Sequence, residues 1–348
     1  MDAPEPIDPM LAKPTPTIPE GPGWHYEPKW DGFRCILFLR AGAPYLQSRD
    51  RKPLDRYFPE IVAALPRVLT PDAILDGELV IMTPHGLDFD ALQQRIHPAA
   101  SRVARLAQET PAAFVAFDLL AERGESLLAR PFAERRERLE QMLPAARPPA
   151  HLTPATRDPA IARDWFERFE GAGFDGIVAR QLDAPYQPGK RALAKIKHHR
   201  TADCVVGGFR WNRGEEGRSI GSLLLGLYDG DDILHFVGHT SSFSASERRE
   251  LVAFLAPYRT DDKTIGFGRG RTPGAESRWT SGRDLSWQRL RPELVCEVTF
   301  DHMQGPRFRH AATFRRWRPD RDPRSCTYHQ LEAPVPAELR AVFAAAST

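Results

Sequence analysis

The stretch EPKWDGFR, residues 27–34, decides how this chain is read, because one of its side chains goes against the composition. Of 48 basic residues, 41 are arginine and seven are lysine, so a lysine that only solvates a surface could as easily have been arginine. A lysine that must lose its proton and attack could not. Arginine stays charged, whereas a lysine amine becomes reactive through burial or neighbouring cations. Lys29 is therefore the candidate nucleophile. Four of the seven lysines fall in two short stretches, Lys29 here and Lys190, Lys195 and Lys197 in PGKRALAKIK. Cations held close, such as Arg34 and Lys195 or Lys197, would favour a neutral amine. The same cations would hold a negatively charged substrate, with phosphate the natural candidate.

Working outward, Asp31-Gly32 lies between WHYEP and FRCILFLR, and a DG pair between two short strand-like runs reads as a β-hairpin turn. Lys29 would then project from a strand end into a pocket. Further strands are expected at AILDGELVIM and AAFVAFDLLA, and helices at FPEIVAAL, DFDALQQRI, FAERRERLEQML and ARDWFERFEGAG. The first 200 residues are thus mixed α+β. After Arg200 the texture changes to spaced strands, ADCVVGGFRW, SLLLGLYDG, ILHFVGHT and ELVCEVTFDHM, with one helix, SASERRELVAFL, among them. That is the outline of a small β-barrel with an inserted helix. The expected division is a proline-rich extended arm over 1–22, an α+β domain over 23–200 and a barrel domain over 201–348.

A chain of 348 residues is large enough for two cores. Its 41% hydrophobic and 27% charged residues are ordinary for a globular protein, and a net charge of +2 excludes a polycation. Charge is nonetheless concentrated: residues 301–324 hold seven arginines against three aspartates, interleaved with Phe308, Phe314 and Trp317, which suits a phosphate-rich partner. The N-terminus lacks a charged start followed by an apolar run, and no apolar stretch approaches the ~20 residues of a membrane span. A cytosolic chain with no membrane partner is expected. Cys35, Cys204, Cys296 and Cys326 form no CxxC, which fits a reducing compartment and gives no zinc signature.

Acidic groups at strand ends can bind ribose hydroxyls or, with phosphate oxygens, hold a magnesium ion. DGE at 76–78, ending in Glu78, and DG at 175–176 are such groups, although a plain turn would explain either alone. Phe117 in VAFDLL could stack on a base, but an aromatic in such a strand is usually core.

Order and spacing carry more than any single element. K-x-D-G-x-R at Lys29 to Arg34, SR at Ser48-Arg49, DGE at Asp76 to Glu78, FDLL at Phe117 to Leu120, DGIVAR at Asp175 to Arg180 and KIK at Lys195 to Lys197 resemble, in order, the covalent nucleotidyltransferase motifs. With HHRTADCVVGGFRW, GSLLLGLYDG and RPELVCEVTFDHMQGPRFRHAATFRRWRPD after them, the chain resembles the ATP-dependent DNA ligases of the bacterial ligase C type, from about Pro9 to about Leu331. The resemblance implies an adenylation domain of antiparallel sheets and helices followed by an OB-fold domain. It implies ATP with Mg2+, or Mn2+ in its place, and nicked double-stranded DNA as substrate. DNA-repair proteins would be its partners, and the enzyme would be a monomer in the bacterial cytoplasm, on the nucleoid when bound to DNA. Lys29 would carry the adenylate, Glu27 would seat adenine through its main chain, and Phe117 would stack on the base. Arg34 and Arg49 would contact ribose or phosphate, Glu78 the ribose hydroxyls, and Lys195 and Lys197 the α-phosphate. Asp175, with Glu78, would hold the metal. Arg309, Arg316 and Arg318, with Asp320, would fall in the motif that orients pyrophosphate. Three positions depart from the family pattern: Asp175 where glutamate is usual, Arg180 where lysine is frequent, and Leu193 where tryptophan often stands. RNA ligases and GTP-using capping enzymes share the lysine motif, and a non-catalytic nucleic-acid-binding module could keep the fold; the segments after Arg200 favour the DNA ligase.

Overall fold

The computed structural model describes residues 5–69, 72–84, 86–143, 148–198, 200–268, 273, 285–301 and 303–331. Among these, two compact units divide between Lys197 and His198. Each is described by itself.

The first unit holds two sheets. One has the order β1 (Ala12–Pro14), β11 (Leu193–Ile196), β10 (Ile177–Gln181), β2 (Trp24–Pro28). The other runs β4 (Ala43–Ser48), β3 (Phe33–Arg40), β5 (Ala73–Thr83), β7 (Ala112–Glu122), β8 (Glu125–Ser126), with β6 (Gly86–Leu87) on β5 and β9 (Ala150–Leu152) on β7. Helices α1 (Pro59–Val68), α2 (Phe89–Gln94), α3 (Ala100–Glu109), α4 (Phe132–Met142) and α5 (Pro159–Arg168) complete it. α3 was not expected from the sequence, where its single apolar face is short. β3 shows why its sequence is a continuous apolar run: Cys35, Leu37 and Leu39 face one core with Phe58 and Ile61 of the α1 segment, while Ile36 and Phe38 face a second core with Met10, Leu120 and Tyr186. A strand covered on both faces cannot alternate with polar residues.

Two expectations are corrected. Asp31-Gly32 is not a hairpin turn, since β2 and β3 belong to different sheets. The hairpin turn is Ala41-Gly42, with the positive φ at both positions (49° and 74°) that a two-residue turn needs. Gly32 serves a crossing instead: a Cβ there would lie 2.2 Å from the Leu79 carbonyl oxygen and 2.8 Å from Glu78 Cγ, so only glycine lets the chain pass β5 this closely. Of the segment expected as an extended arm, Ala12–Pro14 is a strand docked into the first sheet. β1 pairs in parallel with β11, and Met10 is buried, because the edge of β11 offers an unpaired ladder.

In the second unit a curled sheet runs β14 (Leu234–Thr240), β13 (Ile220–Tyr228), β12 (Arg200–Trp211), β16 (Val295–Phe300), β19 (Thr313–Trp317), with β15 (Gln288–Arg289) on β12 and a small β17–β18 hairpin (Met303–Gln304, Arg307–Phe308). Its edges meet where Thr240 bridges Ala312, giving the OB-fold. α6 (Ala245–Leu255) is the inserted helix, started by a reciprocal cap between Ser244 and Glu247. The part of the expected barrel domain over 332–348 lies outside the described residues. No helix among the described residues is long and apolar enough to cross a membrane.

Candidate active site

Lys29 immediately follows β2, and its backbone is fixed on both sides. Its N–H donates to the Gly176 carbonyl at 2.8 Å, and its carbonyl accepts from Asp175 N–H at 3.1 Å. Gly176 has φ 130°, and a Cβ there would fall 1.9 Å from the Ile196 carbonyl oxygen. The start of β10 is thus pressed onto the end of β11, and the ends of three strands converge. Their side chains meet as well. Asp175 Oδ2 lies 2.7 Å from Lys29 Nζ and 2.6 Å from Lys197 Nζ. Burial alone would raise the Asp175 carboxyl, but the two ammonium groups overcome it and hold it below the usual carboxylate range. Lys195 of β11, two residues before Lys197, is pushed down by burial and then by Lys197 and Lys29. Three lysines therefore gather about one aspartate, leaving a surplus of positive charge at the strand ends.

On the neighbouring sheet Arg34 of β3 pairs in register with Glu78 of β5. Asp76 and Glu78, two apart, share a face. Arg34 Nε and Nη2 donate to the two Asp76 oxygens, each at 2.6 Å. With Arg34 committed there, the half-buried Glu78 carboxyl is pushed up to about 7 by burial, with Asp31 and Asp76 adding to it against the pull of Arg34 and Lys29. Phe117 occupies a β-bulge: Asp76 pairs with Asp118 and Gly77 with Ala116, leaving Phe117 as the extra residue. Its ring lies under two guanidinium groups, Arg34 Cζ at 4.5 Å and Arg180 Cζ at 4.8 Å from the centroid.

Glu27, on the same face of β2 as His25, is part of a buried ion network. Arg180 Nε donates to Glu27 at 3.0 Å, Arg136 Nη1 at 3.4 Å, and His25 Nε2 lies 3.2 Å away. Burial would push Glu27 up, but Arg180, His25 and Arg136 hold it down at about 2. Arg180 continues to Asp118, which Arg135 grips with two hydrogen bonds of 2.8 and 3.0 Å.

The structure therefore brings Lys29, Asp175, Lys195 and Lys197 together, and sets Arg34, Glu78 and Phe117 within one network beside them. Arg49 is exposed, one residue past Ser48, the partner of Cys35. The second-unit arginines are described in that unit alone. Arg318 donates twice to Asp203 at 3.0 Å and pairs with Asp320 at 2.8 Å, Arg316 pairs with Glu297 at 2.7 Å, and Arg309 is half-buried after β18. Sequence reasoning missed Asp76, Asp118, Arg135, Arg136, His25 and Tyr186 as partners of the site. Among the described residues no group of three metal-ligating side chains occurs. Asp175 and Glu78 would fit a Mg2+ that takes one or two carboxylates plus phosphate oxygens, with Asp175 yielding contact with its lysines, and not an all-protein cage.

A family model described as the ATP dependent DNA ligase domain matches residues 9–197, and one described as the ATP dependent DNA ligase C terminal region matches 216–321. DNA ligase C2 of Mycolicibacterium smegmatis is 51% identical over 346 residues, covering 96% of this chain and 97% of that protein. DNA ligase C of Mycobacterium tuberculosis is also 51% identical over 346 residues, covering 96% of each. Among solved structures, that of a Lig E DNA ligase matches with a TM-score of 0.56 at 19% identity, over 89% of this chain and 98% of that one, a likeness of fold.

Proposed function

The chain belongs to the ATP-dependent DNA ligases, and from that premise we propose that Lys29 carries the adenylate in sealing nicks in double-stranded DNA. Lys29 Nζ attacks the α-phosphorus of ATP, the bond to the pyrophosphate oxygen breaks, and a lysine-linked AMP remains. The nick 5′-phosphate then takes the AMP and frees the lysine. The adjacent 3′-hydroxyl attacks the adenylated phosphate, forms the phosphodiester and expels AMP. Attack needs the neutral amine, and Asp175, 2.7 Å from Nζ, is the carboxylate within reach of the proton that must leave.

The observation that carries this reading is the convergence of Lys29, Asp175 and Lys197 at three strand ends, with Lys195 beside them. Positioning and charge neutralisation supply most of the acceleration in such phosphoryl steps. Lys195 and Lys197 would hold the α-phosphate, Arg34 and Arg49 the ribose and phosphates, and Glu78 the ribose hydroxyls. Adenine would stack on Phe117, beside the guanidinium groups already packed on it, with the Glu27 segment at its edge. A Mg2+ held by Asp175 and Glu78, with Mn2+ able to replace it, would neutralise phosphate charge. Arg309, Arg316 and Arg318 of the second unit would orient pyrophosphate, and Arg318 must then give up part of its pairing with Asp203. The enzyme would act as a monomer on nicked DNA in the bacterial cytoplasm, within DNA repair.

The test is to incubate the protein with Mg2+ and ATP labelled at the α-phosphate, beside Lys29→Ala and a GTP control. Label from ATP retained on denatured protein, and absent from the variant, is expected. Folded protein, freed of any bound AMP, that takes up no label would refute the reading, and label from GTP instead would assign it to the capping enzymes.

A further inference from the structure

Tyr186 is a buried polar residue that the adenylation chemistry does not use, yet both hydrogen bonds of its hydroxyl lead to Arg34. It lies between β10 and β11 and is 4% exposed. Its O–H donates to Asp76 Oδ2 at 2.7 Å and accepts from the Met10 N–H at 2.9 Å. Asp76, fully buried, accepts from Arg34 Nε and Nη2. Arg34 Nη2 also donates to the Met10 carbonyl at 3.2 Å. The circuit closes: Met10 N–H to Tyr186, Tyr186 to Asp76, Asp76 to Arg34, Arg34 back to Met10. Burial, and then Asp76, push the phenol well above its usual range, so it remains a donor throughout the working pH range.

The bidentate grip fixes carboxylate and guanidinium against each other, but the pair can still shift as one unit on its two rotatable stems. A third hydrogen bond from a phenol fixed in the core removes that freedom. The guanidinium plane is then set against Phe117, at 4.5 Å from its ring centre. Preset geometry of this kind spares the site the ordering cost at the moment of binding.

We propose that Tyr186 is a positioning residue for the nucleotide, acting through Asp76 to hold Arg34 over the ring of Phe117. The proposal rests on the assignment of Arg34 and Phe117 to the nucleotide site. It also gives the N-terminal segment a role, since Met10 closes the circuit and β1 braces the strand that bears Lys195.

The test is a double-mutant cycle in ATP binding, read by calorimetry on Lys29→Ala protein, which cannot turn over. Tyr186→Phe should weaken ATP binding about tenfold, equivalent to ~1.4 kcal/mol. Combined with Arg34→Ala it should add nothing further, because the two changes break one device. Unchanged affinity in Tyr186→Phe would overturn the proposal. So would an equal loss with and without Arg34, which a merely structural role predicts. Should Tyr186→Phe fail to fold, Asp76→Asn takes its place in the same cycle with the same two outcomes. Folded Lys29→Ala protein that binds no ATP at all would overturn the nucleotide-site assignment itself, and the proposal with it.

Discussion

Replacing Glu78 by glutamine should make the protein more stable in mild alkali and a poorer user of ATP. In the folded chain the Glu78 carboxyl is pushed up to about 7 from an ordinary value of 4.5, burial being the main cause. Because the folded value lies above the unfolded one, the folded state holds the extra proton between them. Ionised Glu78 therefore costs stability, a cost that begins as pH passes the unfolded value and is complete above the folded one. At about 1.36 kcal/mol per tenfold change in proton affinity, the gap corresponds to ~3 kcal/mol at full ionisation. Water reaches part of this half-buried side chain, and screening reduces the figure to ~1–2 kcal/mol. Glutamine cannot ionise, so the variant recovers that amount at about pH 8 and under ~0.5 kcal/mol near pH 5. For a unit of this size, at roughly 2–4 °C per kcal/mol, Tm should rise by about 2–8 °C at the higher pH. Melting curves by circular dichroism, wild type against Glu78→Gln across this range, measure it. A shift of the same size at both ends, or a lower Tm for the variant at pH 8, would refute the reasoning. If Glu78 receives the ribose hydroxyls as proposed, the same substitution removes a charged acceptor there and adenylate formation should need more ATP, a stability gain traded for function.

Four further outcomes are expected. Gly176→Ala, whose new methyl would sit 1.9 Å from the Ile196 carbonyl oxygen at φ 130°, should cost at least ~3 kcal/mol and spread β10 from β11, lowering both Tm and adenylate yield. Asp175→Ala leaves Lys29 and Lys197 facing each other without their shared carboxylate, and should lower adenylation at least ~100-fold, while Asp175→Glu stays within about tenfold of wild type. Because Asp175 is held below the usual range, any stability advantage of wild type over Asp175→Asn should be present above the ordinary carboxylate value and fade as pH falls through the folded one, a trend that urea titrations at successive pH values would show. Nicked-DNA affinity, resting on phosphate contacts, should fall at least ~100-fold between about 50 and 200 mM salt, and a flat profile in an electrophoretic binding assay would contradict that.

The sequence singled out the residues that gather around Lys29 and showed little of what holds them. Lys29 was legible because lysine is rare in this chain, so its presence beside a DG pair needed a chemical reason. From the sequence, Lys195 or Lys197 is expected close to it and Asp175 on a metal; in the structure Lys197 and Lys29 both meet Asp175, a pairing the sequence did not suggest. The topology around them was misread. A DG pair between two strands has two physical uses, a tight turn with positive φ or a close crossing with no room for a Cβ. Sequence alone does not separate them, and here Gly32 is the crossing while the unremarkable Ala41-Gly42 makes the turn.

The supporting charges were hidden by the same composition that exposed the lysine. With 41 arginines, each one reads as a solvated surface residue, and a helix spelled FAERRERLEQM reads as charged all round. Yet Arg135 and Arg136 of α4 are buried, with Asp118 and Glu27 as their partners. The usable signal lay on the strands. AFDLL, HYEP and ILDGE each place an acid within an apolar strand, and an ionised carboxylate cannot remain buried there unless cations and hydrogen bonds meet it. Three such acids, Glu27, Asp76 and Asp118, therefore demand buried cationic partners even before any fold is known. What the sequence leaves open is which arginines answer, because that depends on how α4 lies over β7 and how β10 lies beside β2. Once those contacts are set, Arg34, Arg135, Arg136 and Arg180 satisfy all three acids, and two of the four also frame the ring of Phe117. The charges that let these strands stay buried are thus the ones that frame Phe117 and the proposed nucleotide site, so a charge-removing change deep under α4 should lower adenylation at Lys29 as well as stability.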